Sequence, residues 1–346
     1  MSSCSHFSFR WIAVQLTAYA SSALFYLLGM FIILNDPTSL VAQEPTPSSR
    51  SSDAIRVSVD RVNIGVTVTS SYGNFVKGLR REDFRIFDNG VEQPVTGFLS
   101  LEEPAQVVLM LECGPAALLL RKSEVEAANS LLASVSPVDR VAIVGYSKSP
   151  DLVLDFTADK SEARAALRDM NFLASLREPN LASSIAATLH WLAVLPGKKS
   201  IVLLSSGIDT SPVTNWQIVT QTIMTSDVRL FAVSIAGELR KPTKGRKLSL
   251  DEREDWQYVR EVLSEADGSL RNLSEATGGR VYFPKSTKEL LRTYAEITQL
   301  IRHEYSLEFA PPSLDGRVHA LKVKAKRSWY HVEYRQAYLA RSPASH

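Results

Sequence analysis

The apolar and polar positions of this chain change rhythm twice. From Ile55 they alternate: Ile55, Val57 and Val59, then Val62, Ile64, Val66 and Val68, the period of strands with one buried face. Tyr72-Gly73-Asn74 and Asp88-Asn89-Gly90 are turn signals of the hairpin kind, so residues 55–103 predict a small antiparallel β unit. At Pro104 continuous apolar runs take over. AQVVLMLE (105–112), DRVAIVGYS (139–147), KSIVLLSSG (199–207) and VRLFAVSIA (228–236) have the texture of strands buried on both faces. RVYFP (280–284) and a short alternating stretch, residues 152–156, add two more. Helical spacing separates them, over residues 122–134, 160–170, 182–195, 215–225, a stretch stopping at Thr277-Gly278-Gly279, and residues 288–301. Buried strands alternating with helices predict a doubly wound, mostly parallel α/β domain over 104–303. Short alternation returns in 304–341, around a turn at Leu314-Asp315-Gly316. This closing β segment is expected to pair with residues 55–103 into a small sandwich-like domain.

Ahead of these elements lies a stretch of another kind. WIAVQLTAYASSALFYLLGMFIIL (11–34) is almost uncharged, with Arg10 before it and Asp36 after it. The cation before the apolar stretch stays cytoplasmic and sends the remainder across the membrane. Two readings stand: a signal peptide ending near Leu40-Val41-Ala42, or an uncleaved anchor. Either gives residues 1–42 a targeting role, followed by a Pro/Ser linker over 43–54 and an extracytoplasmic body. Membrane contact is expected only through this segment, if it is uncleaved.

Composition narrows the function classes. Hydrophobic residues at 45% and charged residues at 22% are ordinary globular values. A formal charge of +2 argues against nucleic acid as the partner, which requires a clustered basic face. The two cysteines, Cys4 and Cys113, supply neither a disulfide framework nor a zinc site. An insertion, GELRKPTKGRKLSLDERED (237–255), is basic in its first half and acidic in its second, the pattern of a solvated loop.

Several segments in order carry a family resemblance. GNFVKGLRREDFRIFDNGVEQPVTGF (73–98), then DRVAIVGYS, LPGKKSIVLLSSG (195–207), VRLFAVSI, LSEATGGRVYFP (273–284) and HEYSLEFAPPSLDGRVHALKVKAK (303–326) resemble the VWFA-related domain proteins described in Acidobacteria. That resemblance implies a von Willebrand A-like domain, which binds partners through a divalent cation beyond the carboxyl ends of its strands. The family's Asp-x-Ser-x-Ser motif falls here on Glu112, Gly114 and Ala116, its loop threonine on Pro179-Asn180, and its later aspartate on Ser206. Glu112, Ser206, Asn180 and Asp209 are then the remaining oxygen donors. One carboxylate with neutral oxygens is a poor site for Mg²⁺, which dehydrates reluctantly and wants near-octahedral geometry. The expectation is therefore a site without a cofactor, Mg²⁺ being the less favoured alternative. Glu112 would be satisfied by backbone N–H groups, and Ser205-Ser206 would cap the next turn.

No catalytic arrangement stands out elsewhere in the sequence. The six histidines are scattered, without metal-ligand spacing, and His190 beside Trp191 reads as a helix packing position. Gly197-Lys198-Lys199-Ser200 precedes a strand, not a helix, and is no phosphate loop. Cys113, next to Glu112, reads as an inert thiol, with a thiol-dependent enzyme as a distant alternative. The apolar loop Pro115–Leu120 at the strand ends is a candidate interaction patch. The function expected is a non-enzymatic, extracytoplasmic protein-binding module working without metal; the alternative is a divalent-dependent adhesion domain using Glu112, Ser206 and Asp209.

Overall fold

The computed structural model describes residues 61–170, 179–209, 216–239 and 250–340. The expectations for the targeting segment, the linker and residues 55–60 lie outside them. The chain divides into two compact units, and the smaller one contributes only residues 250–259 to the description, the first turns of a helix.

The strands are β1 (Val62–Thr69), β2 (Phe84–Asp88), β3 (Val91–Gln93), β4 (Gly97–Leu99), β5 (Ala105–Glu112), β6 (Arg140–Tyr146), β7 (Pro150–Thr157), β8 (Lys198–Ser205), β9 (Arg229–Ser234), β10 (Val281–Tyr282), β11 (Glu304–Phe309), β12 (Val318–Ala325), β13 (His331–Glu333) and β14 (Ala337–Leu339). The helices are α1 (Pro115–Ser134), α2 (Lys160–Asp169), α3 (Leu181–Ala193), α4 (Trp216–Thr225), α5 (Ala236–Leu239), α6 (Leu250–Ala276) and α7 (Thr287–Arg302).

The apolar runs assemble into a six-stranded sheet of order β10-β9-β8-β5-β6-β7. It is parallel except for β7, which pairs antiparallel with β6 at one edge. In β5 the side chains alternate between two cores. Val107, Leu109 and Leu111 pack against α1, α2 and α7, while Val108 and Met110 pack against α3, α4 and α6. A strand covered on both faces needs apolar residues at every position, which explains its unbroken run.

The flanking segments form two four-stranded sheets, β13-β1-β11-β4 and β14-β12-β2-β3. Their inner faces share one core of Ile64, Val66, Val68, Phe84, Ile86, Tyr305, Leu307, Phe309, Leu321, Val323 and Tyr338. β1 pairs with β11 and β2 with β12, so the pieces before and after the α/β domain build one sandwich, and the expected fold class holds. The hairpin between β2 and β3 turns on Asn89 (φ 46°) and Gly90 (φ 86°), the left-handed pair that a two-residue turn demands.

Some elements depart from expectation. Helix α1 begins at Pro115, not at Lys122, so the supposed apolar loop is its first turns; proline at the helix start has a preset φ and no N–H to lose. The acidic end of the insertion is helical, because α6 begins at Leu250. His190 is exposed on α3, and its neighbour Trp191 does the packing, stacked on Phe156 at 5.2 Å. Strand β14, three residues at a sheet edge, carries too little pattern to read in advance.

The sandwich sits at the amino ends of the parallel strands. The outer face of β1 (Asn63, Gly65, Thr67) meets β9, where buried Arg229 pairs with buried Glu304 at 2.8 Å and donates to Thr67 Oγ1 at 2.9 Å. Lys199 pairs with Asp227 at 2.7 Å, and Lys198 Nζ donates to the carbonyls of Ser100, Leu101 and Glu304. Strands of eight residues then carry the opposite, carboxyl ends some ~20 Å or more from this seam.

Candidate functional site at the carboxyl ends of the sheet

The last residues of β5, β6 and β8 meet in one buried cluster. Register places Glu112 beside Tyr146, and Ser205-Ser206 follow on the other side of β5. Glu112 is 2% exposed and both serines are fully buried. Its Oε2 accepts the Ser206 backbone N–H at 2.7 Å and the Ser206 hydroxyl at 2.8 Å. Tyr146 OH donates to Ser205 Oγ at 2.6 Å, Ser205 Oγ donates to Glu112 Oε2 at 3.2 Å, and the Gly207 N–H donates to Ser205 Oγ at 2.8 Å. Every polar atom of this cluster therefore has a partner inside the protein, as buried polar groups require. Burial pushes the Glu112 carboxyl above its usual range, and the donors from Ser206, Tyr146 and Ser205 pull it partly back. Burial, with the carboxyl of Glu112 beside it, holds the Tyr146 hydroxyl well above its ordinary value.

The other expected site residues are not part of this cluster. Gly114 is the residue capping α1, in extended conformation, and a Cβ placed there would lie 3.9 Å from Glu112 Oε1. Ala116 follows in the first turn of α1. Pro179 is half-buried before α3. Asn180 caps that helix, its Oδ1 accepting the Ser183 N–H at 3.0 Å, and its own N–H reaches Ser147 O at 2.7 Å. Asp209 Oδ2 accepts the Ala182 N–H at 2.9 Å. So Asn180 and Asp209 converge on the start of α3, where carboxylate and amide oxygens satisfy free N–H groups. Glu112 and Ser206 converge on each other.

A divalent cation fits this donor set badly. A hard cation needs about six oxygens around it, and Glu112 and Ser206 Oγ are already engaged with each other, Asn180 Oδ1 and Asp209 Oδ2 with backbone. Gly114, Ala116 and Pro179 bring no side-chain oxygen. Among the described residues no group of three or more His, Cys, Asp or Glu side chains is placed to hold a metal ion. Cys113 is 8% exposed, and its Sγ lies 3.8 Å from Leu111 O.

Sequence reasoning named Glu112 and Ser206 but overlooked Tyr146 and treated Ser205 only as a turn cap. The signal for Tyr146 was present: a tyrosine ends a buried strand one register step from a strand ending in glutamate. A second cluster went unnoticed altogether. In the sandwich, His319 Nδ1 lies 2.9 Å from Asp88 Oδ1, its Nε2 lies 3.2 Å from Asp315 Oδ1, and Tyr338 OH donates to Asp88 Oδ2 at 3.1 Å. These residues are far apart in sequence, and only the pairing of β2, β12 and β14 unites them.

An open, doubly wound sheet with one antiparallel edge and its candidate site at the carboxyl ends defines the class. The six-stranded domain is a doubly wound, mostly parallel α/β domain with β7 as its antiparallel edge. No family model matches the chain, and no characterised protein matches it in sequence. Among solved structures it is similar to a von Willebrand factor type A protein from Catenulispora acidiphila, at 11% identity over 84% of this chain and 76% of that one, TM-score 0.41. It is also similar to BatB from Bacteroides thetaiotaomicron, at 11% identity over 57% of this chain and 98% of that one, TM-score 0.38. A third is proximal thread matrix protein 1 from the mussel byssus, solved with a zinc-occupied MIDAS motif, at 10% identity over 62% and 49%, TM-score 0.42. No described helix is long and apolar enough to cross a membrane.

Proposed function

We propose that the chain is an extracytoplasmic, non-enzymatic module that binds a protein partner without a divalent cation. The observation that carries this reading is the state of Glu112: its carboxylate is buried and turned into Ser205, Ser206 and Tyr146, not outward to a ligand. Recruiting it to a cation would break those bonds before any were gained, and a group engaged so completely is a structural fastening. The same burial speaks against catalysis there, because the Ser205 and Ser206 hydroxyls present no surface to a substrate. Extracytoplasmic placement rests on the apolar segment 11–34 with Arg10 before it.

Thermal unfolding of the purified chain with Mg²⁺ or Mn²⁺ tests the central point, since a ligand that binds only the folded state raises the melting temperature. The expected result is no rise at saturating cation. A rise that Glu112→Ala abolishes would establish instead a divalent-dependent adhesion site at Glu112, Ser206 and Asp209. Cross-linking in intact cells followed by mass spectrometry then identifies the partner.

A further inference from the structure

A groove of about 930 Å³ opens between the sandwich and the amino ends of the parallel strands, away from the Glu112 cluster. Both layers build it. The sandwich contributes residues 77–82, which follow β1, and the end of β4 with the segment after it. The α/β domain contributes the connection from α1 to β6, through Ser136, Val138 and Asp139, and the end of α7. The floor is closed. Tyr305 and Ile301 are buried there, and the Lys198 ammonium donates to the carbonyls of Ser100, Leu101 and Glu304 at 3.2, 3.3 and 3.5 Å. A concave site where two layers meet is a common seat for a ligand.

The charges that line this groove fall into two groups, engaged and free. Arg80 pairs with Glu82 at 3.8 Å, Asp139 accepts the backbone N–H groups of Ala105 and Ser136, and Lys198 is taken up by carbonyls. Lys77, Arg81 and Arg302, and with them Glu102 and Glu103, are exposed and have no ion-pair partner among the described residues. The two signs are set apart. Lys77 and Arg302 gather at His303, whose imidazole is held below its ordinary value by burial first and by those two cations as well. Glu103 bears instead on Lys198, where it opposes the lowering that burial imposes. Apolar side chains share the groove: Phe98 and Leu101 are partly buried, and Val138 is 61% exposed. Apolar contact combined with free charge is the make-up of a protein-docking surface.

We infer that this groove seats a segment of the protein partner, one that brings a carboxylate to Lys77, Arg81 and Arg302, a cation to Glu102 and Glu103, and an apolar side chain to Val138. The inference rests on reading the chain as a protein-binding module, and it gives that module a surface away from the sealed carboxyl-end cluster. Charge selects the occupant. A polyanion drawn to the three cations would meet Glu102 and Glu103, and a polycation drawn to the glutamates would meet the cations. Like charges brought together cost free energy and exclude such partners. A segment carrying both signs is attracted at both places. A concave site also admits a loop or an extended segment more readily than a flat protein face.

Selection of displayed random short peptides on the purified full-length chain tests it, with a variant carrying Glu102→Lys and Glu103→Lys as the counter-target. Both glutamates are exposed and outside the cores, so the variant is expected to keep the fold. The enriched peptides should carry both charge signs and an apolar residue, and should slow amide exchange in residues 77–82 and 98–103. The charge-reversed variant should bind such a peptide about tenfold more weakly, because exposed attractive pairs become repulsive ones. Replacing the peptide's basic residue by glutamate should restore binding to that variant, a rescue that damage to the fold would not allow. Val138→Ala should weaken binding to the parent as well. Enriched peptides of one charge sign, peptides that bind parent and variant alike, or no enrichment at all overturn the inference. Cross-linking in intact cells separates its failure from that of the reading beneath it. A partner cross-linked away from the groove removes this site and leaves the protein-binding module standing, whereas no partner at all removes both.

Discussion

Ser206 gives Glu112 both its backbone N–H, at 2.7 Å, and its hydroxyl, at 2.8 Å, across 94 residues of sequence. The pair locks the carboxyl end of β5 to the residue following β8, and Ser205 and Tyr146 complete the acceptor's shell. Removing the carboxylate leaves these donors buried with nothing to bond. Glu112→Ala should therefore cost about 2–4 kcal/mol, the range for orphaning several buried polar groups around a small cavity. Glu112→Gln keeps an acceptor oxygen and should cost about 1 kcal/mol. Denaturant midpoints of the two variants against the parent check the ordering. If Glu112→Ala were neutral, the cluster would not be the fastening described.

The same carboxyl sets a pH dependence. Burial raises it above the ordinary glutamate value of 4.5, with the hydrogen bonds from Ser206, Tyr146 and Ser205 opposing. The folded chain then holds this proton where the unfolded chain releases it. Its contribution is fully present below 4.5 and is lost as pH rises through the raised folded value. Replacing Glu112 by Gln should flatten that part of the stability curve on the alkaline side of 4.5. Chemical denaturation at a series of pH values, run on both proteins, measures the difference.

Much of the architecture was legible because it rests on local pattern. Continuous apolar runs marked the strands that carry two covered faces, and Asn89-Gly90 marked its hairpin. The inner face of β1 was equally plain in Ile64, Val66 and Val68. Its outer face was not: Asn63, Gly65 and Thr67 look like solvent positions, but Asn63 reaches Asp227, and Gly65 and Thr67 meet the Arg229–Glu304 pair. The candidate site divides the same way. Glu112 and Ser206 were found through their place at strand ends, whereas Tyr146 and the His319 cluster depend on cross-strand register, which no local window contains. That Asn180 and Asp209 cap α3, apart from Glu112, also follows from packing and not from spacing.

Gly65 shows what the hidden seam demands. A Cβ there would stand 2.7 Å from Arg229 Cδ and 2.9 Å from Glu304 Oε1, inside a buried ion pair. Gly65→Ala should push the pair apart and cost about 2–4 kcal/mol, in the range of overpacking and of disrupted buried networks. Glu304→Ala should cost about 3–5 kcal/mol, because Arg229 would be left charged and buried. Replacing Arg229 and Glu304 together by Met should recover much of that loss, since neither charge then remains to be compensated. Urea denaturation of the parent and the three variants reads out this ordering.

His319 supplies the most local pH test. It is 4% exposed, with Asp88 against Nδ1 and Asp315 against Nε2, and Tyr338 OH also donates to Asp88. Burial works to lower the imidazole, and the two carboxylates outweigh it, so the folded value stands above the ordinary 6.5. Only the imidazolium can donate from both nitrogens at once. The neutral ring must give up one bond, and the partner near the surface, Asp315 in the turn between β11 and β12, is the one released. For a base with a raised folded value, the stabilisation is complete below 6.5 and disappears as pH rises through the folded value. The sandwich should accordingly lose stability on the alkaline side, and amide exchange in residues 310–317 should quicken over the same range. His319→Gln should remove the pH dependence, and Asp315→Asn should shrink it while leaving the Asp88 contact in place. A stability curve identical in the parent and His319→Gln across that range would show that the ring stays neutral and carries no such clasp.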